Sequence, residues 1–273
     1  MLQSRPMRIW AISDLHLGFS TGKWMDIFGE HWKDHHLKVE AGWRESVAPG
    51  DIVLLPGDLS WAMKPADVQP DLEWLERLPG SKVLIKGNHD YWWPSTRAKL
   101  RAILPPSVQA IKKRAIVIRG VPVVGVRGTD FSPREDETIQ EVERRLSRER
   151  DELLSSVEDL RRIYQGARAP ICLFHYPPFP LGRSESAFTR IIEDAGCRHA
   201  LYGHLHTQPE WDRVFQAERG GVRYRLVSCD ALGFRPVLVD EVEDAREGAP
   251  EEKGLESAEE KRGRAPAGEK AAG

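Results

Sequence analysis

Short apolar runs recur along this chain, and most of those in its first half stop at a block of Asp, Asn, Gly or His. Five such blocks stand in order: Asp14-Leu15-His16, Gly57-Asp58, Gly87-Asn88-His89-Asp90, His175 and Gly203-His204-Leu205-His206. A run of four to six β-branched or aliphatic residues reads as a buried strand, and probable helices separate the early ones. That alternation predicts βαβ units with a partly parallel sheet, whose strand ends gather the polar blocks.

Strands are expected at 8–13, 51–56, 82–86, 115–118, 121–126, 171–174, 199–202, 222–227 and 236–239. Helices are expected at 34–47, 66–78 and 95–104, the last with Ser95 as a possible N-cap. After Pro105-Pro106 the character changes, and the two runs flanking Arg119-Gly120 suggest an antiparallel pair. Two strand-rich halves fit an α/β sandwich of two packed mixed sheets flanked by helices. Residues 134–165 place Ile139, Val142, Leu146, Leu153, Val157, Leu160 and Tyr164 at three- and four-residue spacing, broken by Glu149-Arg150. One or two amphipathic helices are expected there, as a covering layer, a lid or a dimerising seam. Residues 1–240 read as a single domain. From 241 to 273 Glu, Ala, Gly, Lys and Arg dominate, so this stretch is expected to form a disordered tail.

Forty basic against forty-two acidic side chains leave a net charge of -2, which argues against a broad nucleic-acid surface but not a local basic patch. No apolar run approaches membrane-span length. Three cysteines without a CxxC pair read as reduced thiols, which points to a cytoplasmic protein.

Asp14 and His16 stand at i and i+2, which in a regular strand would turn both to one side. Asp58 follows a glycine that permits a tight turn, and its two oxygens can bridge two cations. Asn88 offers a neutral oxygen ligand, and His204 and His206 repeat the i, i+2 spacing. Asp-x-His and Gly-Asp taken singly are weak evidence, whereas Gly87-Asn88-His89-Asp90 and Gly203-His204-Leu205-His206 are more specific, and His175 alone reads as a structural histidine. His31, His35, His36 and His199 lie outside the blocks, those at 31–36 as decoration of a solvated helix start. Arg127 reads as a surface side chain or a residue near a phosphate, and Trp92 and Trp93 as core packing.

Together the blocks resemble the calcineurin-like metallophosphoesterase superfamily, whose pattern is DxH, GD, GNH(D/E), H and GHxH. The resemblance covers roughly residues 7–240. The stretches Trp10-Ala-Ile-Ser-Asp-Leu-His-Leu17, Lys23-Trp-Met-Asp-Ile-Phe-Gly29, Pro56-Gly-Asp-Leu-Ser-Trp-Ala62 and Gly87-Asn-His-Asp-Tyr-Trp-Trp93 are similar to a bacterial group of predicted phosphohydrolases.

The resemblance implies two divalent or trivalent ions, Mn, Fe or Zn. Asp14, His16, Asp58 and His206 would hold one of them, and Asp58, Asn88, His175 and His204 the other. It implies hydrolysis of a phosphomonoester or phosphodiester in a small phosphorylated substrate, by in-line attack of a metal-bridging hydroxide. His89 would act as general acid or phosphate clamp, with Asp90 orienting it or capping the turn. Two other functions stay open: a non-catalytic scaffold on the same fold, or a nucleotide-sugar or dinucleotide pyrophosphatase. Against the lipid-precursor pyrophosphatases stands His89, where those carry Arg.

Overall fold

The computed structural model describes residues 5–243. Strand β1 (Met7–Ala11) leads through two short 3-10 helices, Met25–Phe28 and Glu30–Trp32, into helix α1 (His35–Ser46). β2 (Ile52–Leu55), α2 (Gln69–Glu76), β3 (Ser81–Leu84), α3 (Arg97–Ile103) and β4 (Val108–Ala110) continue the alternation. β5 (Ile116–Ile118) and β6 (Val121–Val126) form the expected antiparallel pair. Then follow α4 (Ile139–Ile163), β7 (Ile171–Phe174), α5 (Ala187–Asp194), β8 (His199–Tyr202), α6 (Gln208–Arg213), β9 (Glu218–Arg219), β10 (Val222–Leu226) and β11 (Val237–Val242).

The strands form two mixed sheets, in the orders β11-β1-β2-β3-β4 and β5-β6-β7-β8-β10-β9. Side-chain alternation explains how they pack. Ile9, Ala11, Ile52, Leu54, Val83 and Ile85 of the first sheet meet Val121, Val123, Ile171, Leu173 and Leu201 of the second in one buried core. The intervening residues face outward. Trp10, Val53, Leu55 and Leu84 pack beneath α1, α2 and α3. Val124, Val126, Cys172, Phe174 and Tyr202 pack beneath α4 and α5. Burial on both faces is why these strands read as unbroken apolar runs.

Residues 139–163 make one continuous helix, started by a capping box between Thr138 and Glu141. The charged gap does not break it, because Glu149 turns inward to Arg127 at 2.8 Å and accepts the Gly128 N–H at 3.1 Å. Val142, Leu153, Val157 and Leu160 lie buried on the six-stranded sheet. Thr96, not Ser95, caps α3, accepting the Lys99 N–H at 3.3 Å. β4, β9, α5 and α6 were not expected; the two strands span only three and two residues, too short for a periodic signal. β11 runs past the expected end at 239 because Val242 pairs with Met7 and is buried. The remainder of the expected tail, 244–273, lies outside the described residues. Among the described residues no helix is long and apolar enough to cross a membrane.

Candidate metal centre

The polar blocks meet where the parallel strands end. Ser13 bridges to Ser228, and Asp14, His16 and Leu17 donate their N–H groups to the carbonyls of Gly57, Asp58 and Leu59 at 2.9–3.0 Å. The segments after β1 and β2 therefore run side by side. Asp14 and His16 have left the strand and stand at φ 60° and 43°. Their shared direction comes from left-handed backbone, which corrects the expectation from i, i+2 strand spacing. Asp58 and His204 are left-handed too, at φ 52° and 74°. Non-glycine residues cost free energy in this region, and such outliers gather at functional sites.

Two glycines make the approach possible. Gly57 has φ 92°, and a Cβ there would press on the Gly87 backbone and the His175 ring. A Cβ on Gly87 would collide with the Asp58 carboxylate. Without side chains at both positions, the ends of β2 and β3 close on each other.

Two groups of side chains converge. Asp14, His16 and His206 form one, and Asp14, Asp58 and His175 the other, each arranged so that it could hold a metal ion. Asp14 belongs to both, and Asp58 Oδ2 of the second group lies 3.8 Å from His16 Nε2 of the first and 3.4 Å from His175 Nε2 of its own. Among the described residues, all ion-pair partners of the buried Asp14 and Asp58 are histidines. Burial raises the Asp14 pKa, but His206, His175 and His16 overcome this and hold it far below the carboxylate range. Asp58 is pushed well above that range by burial and by Asp90 and Asp14. Neighbouring buried carboxylates without Lys or Arg partners leave negative charge for a cation to neutralise.

The imidazoles support the same fit. His175 Nδ1 lies 3.1 Å from the Pro56 carbonyl, an acceptor, so Nδ1 carries the proton. Burial lowers the His175 pKa to about 3, leaving the Nε2 lone pair to face Asn88 Oδ1 at 2.6 Å. Two acceptors that close form the donor set of a cation site. His206 Nδ1 sits 3.1 Å from both oxygens of Asp230, with its Nε2 turned to Asp14 Oδ1 at 3.6 Å and His16 Nε2 at 3.4 Å. Burial lowers the His206 pKa, but Asp14 and Asp230 outweigh it and bring it to about 10. His16 Nδ1 is buried with no hydrogen-bond partner among the described residues. The donor set of carboxylate oxygens, imidazole nitrogens and one amide oxygen suits Mn, Fe or Zn.

His204 enters differently. Its backbone N–H donates to both Asp14 oxygens at 3.1 Å, and its ring lies 4.0 Å from that of Tyr176 and 5.1 Å from that of His175. It flanks the two groups and is a member of neither. His89 stands at the mouth. Its side chain is 33% exposed, with Nε2 4.0 Å from Asp58 Oδ2 and its ring 4.3 Å from that of Trp61.

Among the described residues, the hydrogen bonds of the Asp90 carboxylate go to donors other than the His89 ring. The carboxylate accepts the backbone N–H groups of Asp58, Leu59, Ser60 and Gly87 at 2.8–3.2 Å, and the Trp92 indole N–H at 2.9 Å. Burial pushes its pKa up while these donors pull it down. Asp90 pins the turns that carry Asp58 and Asn88. The histidine expectation also needs correction at His35, which is buried and bonded through Nε2 to the Leu15 carbonyl at 2.9 Å. Trp92 and Trp93 are core residues. Arg127 pairs with Glu149, and its carbonyl accepts the N–H groups of His175 and Tyr176 at 3.0 Å.

Several supporting residues were missed. Asp230 stands behind His206. The Cys229 thiol donates to the Asp14 carbonyl at 3.0 Å, and the Ser13 hydroxyl donates to the Asp14 carboxylate. Trp61 stacks on His16, with ring centres 4.9 Å apart and planes at 24°. Cys229 and Asp230 leave a trace as Ser228-Cys-Asp230 at the end of an apolar run, and Ser13 and Trp61 lie in stretches that carry the resemblance.

The sequence matches the calcineurin-like phosphoesterase family over residues 7–208. The chain belongs to that family. Gene 66 protein of Mycobacterium phage D29 is 38% identical over 90 residues, which cover 33% of this chain and 43% of the phage protein. Gene 66 protein of Mycobacterium phage L5 is 31% identical over 88 residues, covering 32% and 42%. The chain thus spans less than half the length of the curated relatives it matches. Phosphopantetheinyl hydrolase from Mycobacterium tuberculosis shares the fold at a TM-score of 0.50 and 18% identity, over 90% of this chain and 99% of that one. In this calcineurin-like phosphoesterase, Asp230 lies beyond the matched residues, so the carboxylate behind His206 comes from outside the matched span.

Proposed function

We propose that this chain hydrolyses a phosphate ester at a two-metal centre. The observation that carries the reading is the buried Asp14–Asp58 pair, whose ion-pair partners among the described residues are all imidazoles. Asp14, His16, Asp58 and His206 would hold one ion, and Asp58, Asn88, His175 and His204 the other. When bound, the ions would supply Lewis acidity toward the phosphoryl oxygens and lower the pKa of water.

The protein's own groups set the rest. The Pro56 carbonyl and Asp230 fix the protonated nitrogens of His175 and His206, leaving each Nε2 turned to the site. Asp90 holds the Asp58 and Gly87 turns, so that both ligand-bearing loops move as one. His89, at the mouth and outside both groups, gives a proton to the leaving oxygen of the ester. Trp61 packs against His16 and His89 and keeps water from that side of the imidazoles.

Chelation tests the proposal. Protein stripped with EDTA should lose turnover of mono-aryl and bis-aryl phosphates, and added Mn²⁺ should restore it. Hydrolysis that persists in metal-free protein would reject the reading. The support behind His206 has its own test: Asp230→Asn should weaken metal binding by about 10–100-fold, measured by titration of the stripped protein. An unchanged affinity would remove Asp230 from the centre.

A further inference from the structure

Both sheets end on one flank of the molecule, with β4 as the edge of one and β5 as the edge of the other. A cleft of about 690 Å³ opens there, and none of its lining residues belongs to the five blocks. Arg97 and Arg101 reach it from α3, and Lys112 and Arg114 from the connection between β4 and β5. Leu104 and Ile116 contribute to an apolar lining. The volume lies within the range of small-molecule sites.

The charge of this cleft is unusual for the molecule. No Asp or Glu lines it, although acidic residues outnumber basic ones in the chain. Elsewhere some arginines pair with carboxylates, Arg127 with Glu149, Arg145 with Glu137 and Arg219 with Glu193, while others, such as Arg144, Arg190 and Arg223, have no ion pair among the described residues. Arg97, Arg101 and Arg114 have no ion pair or side-chain hydrogen bond among the described residues. Lys112 is held in place by donating to the Pro94 carbonyl at 2.8 Å. Arg97 and Arg101 stand four residues apart on a helix, where like charges face each other unfavourably. Three arginines beside an apolar lining, with no carboxylate among the lining residues, are complementary to an amphipathic anion. Guanidinium groups match phosphate oxygens in planar, bidentate geometry.

We propose that this cleft binds a small organic phosphate with an apolar body and at least two negative charges, at a site separate from the metal centre. The inference does not depend on the proposed hydrolysis.

Calorimetric titration of the full chain in EDTA tests it, because chelation removes metal-dependent binding elsewhere. ADP serves as the probe, and inorganic tripolyphosphate as an anion without an apolar body. One equivalent of ADP should bind, and more tightly than tripolyphosphate. The Arg97→Glu/Arg101→Glu double variant and Arg114→Glu should each weaken ADP binding by at least about tenfold, and Arg101→Lys by less. Arg114→Ala provides a milder loss should charge reversal perturb folding. Metal-restored turnover of an aryl phosphate should stay at the wild-type level in all of them. No ADP binding at millimolar concentration, or binding indifferent to these substitutions, would overturn the site. Tripolyphosphate binding as tightly as ADP would overturn the apolar-body requirement.

Discussion

Replacing His89 with asparagine should lower kcat on an aryl phosphate by roughly 10²–10⁴-fold while bound metal stays at the wild-type level. The two effects separate because His89 contributes to the site in two ways. Its backbone N–H holds Asp58 Oδ1 at 2.8 Å, and any residue with an amide supplies that bond. Its imidazole lies outside both groups that could hold a metal, partly open to solvent, where a leaving oxygen would emerge. Asparagine keeps the first contribution and cannot carry a titratable proton in the second. Steady-state kinetics paired with metal analysis of the same preparation provides the check. Unchanged turnover would exclude the imidazole from proton transfer, and a parallel loss of metal would make it a ligand.

Asp90→Ala should destabilise the fold by about 3–5 kcal/mol, the cost of leaving buried polar groups without their charged partner. For a chain of this size that corresponds to a fall in Tm on the order of 10 °C. Five N–H donors converge on this carboxylate from the turns after β2 and β3 and from Trp92. Truncation strands all of them in a region that side chains already fill. Activity should fall with stability, because the same turns carry Asp58 and Asn88. Calorimetry of the metal-free protein isolates the structural part. An Asp90 that served only to orient His89 would leave that Tm unchanged.

The contrast between Asp90 and Asp230 shows what the sequence makes legible. The five blocks were visible because each combines an apolar run, a turn-permitting residue and polar side chains within a few positions. Strand alternation likewise made the two-sheet packing readable, since burial on both faces leaves an uninterrupted apolar run. Partners that arrive from another segment leave no such mark. Asp230 meets His206 only after β10 has paired with β8. His35 looked like surface because charged and polar residues surround it, yet its ring turns inward to Leu15. Asp90 was legible as a site residue but not in its role, because its donors include amides some thirty residues earlier in the chain. The arginines of α3 face Arg114 only once β4 has folded back beside β3.

The bonds from the His204 N–H to Asp14 link residues 190 positions apart. A ribosome adding about 5–20 residues per second needs roughly 10–40 s to cover that interval. Throughout it, Asp14 and His16 are already synthesised while His204 and His206 are not. The Asp14–His206 half of the centre therefore cannot act as an early template for folding the nascent chain. It closes only when β8 has emerged and docked, so a chain interrupted before residue 204 leaves Asp14 without His204 and His206.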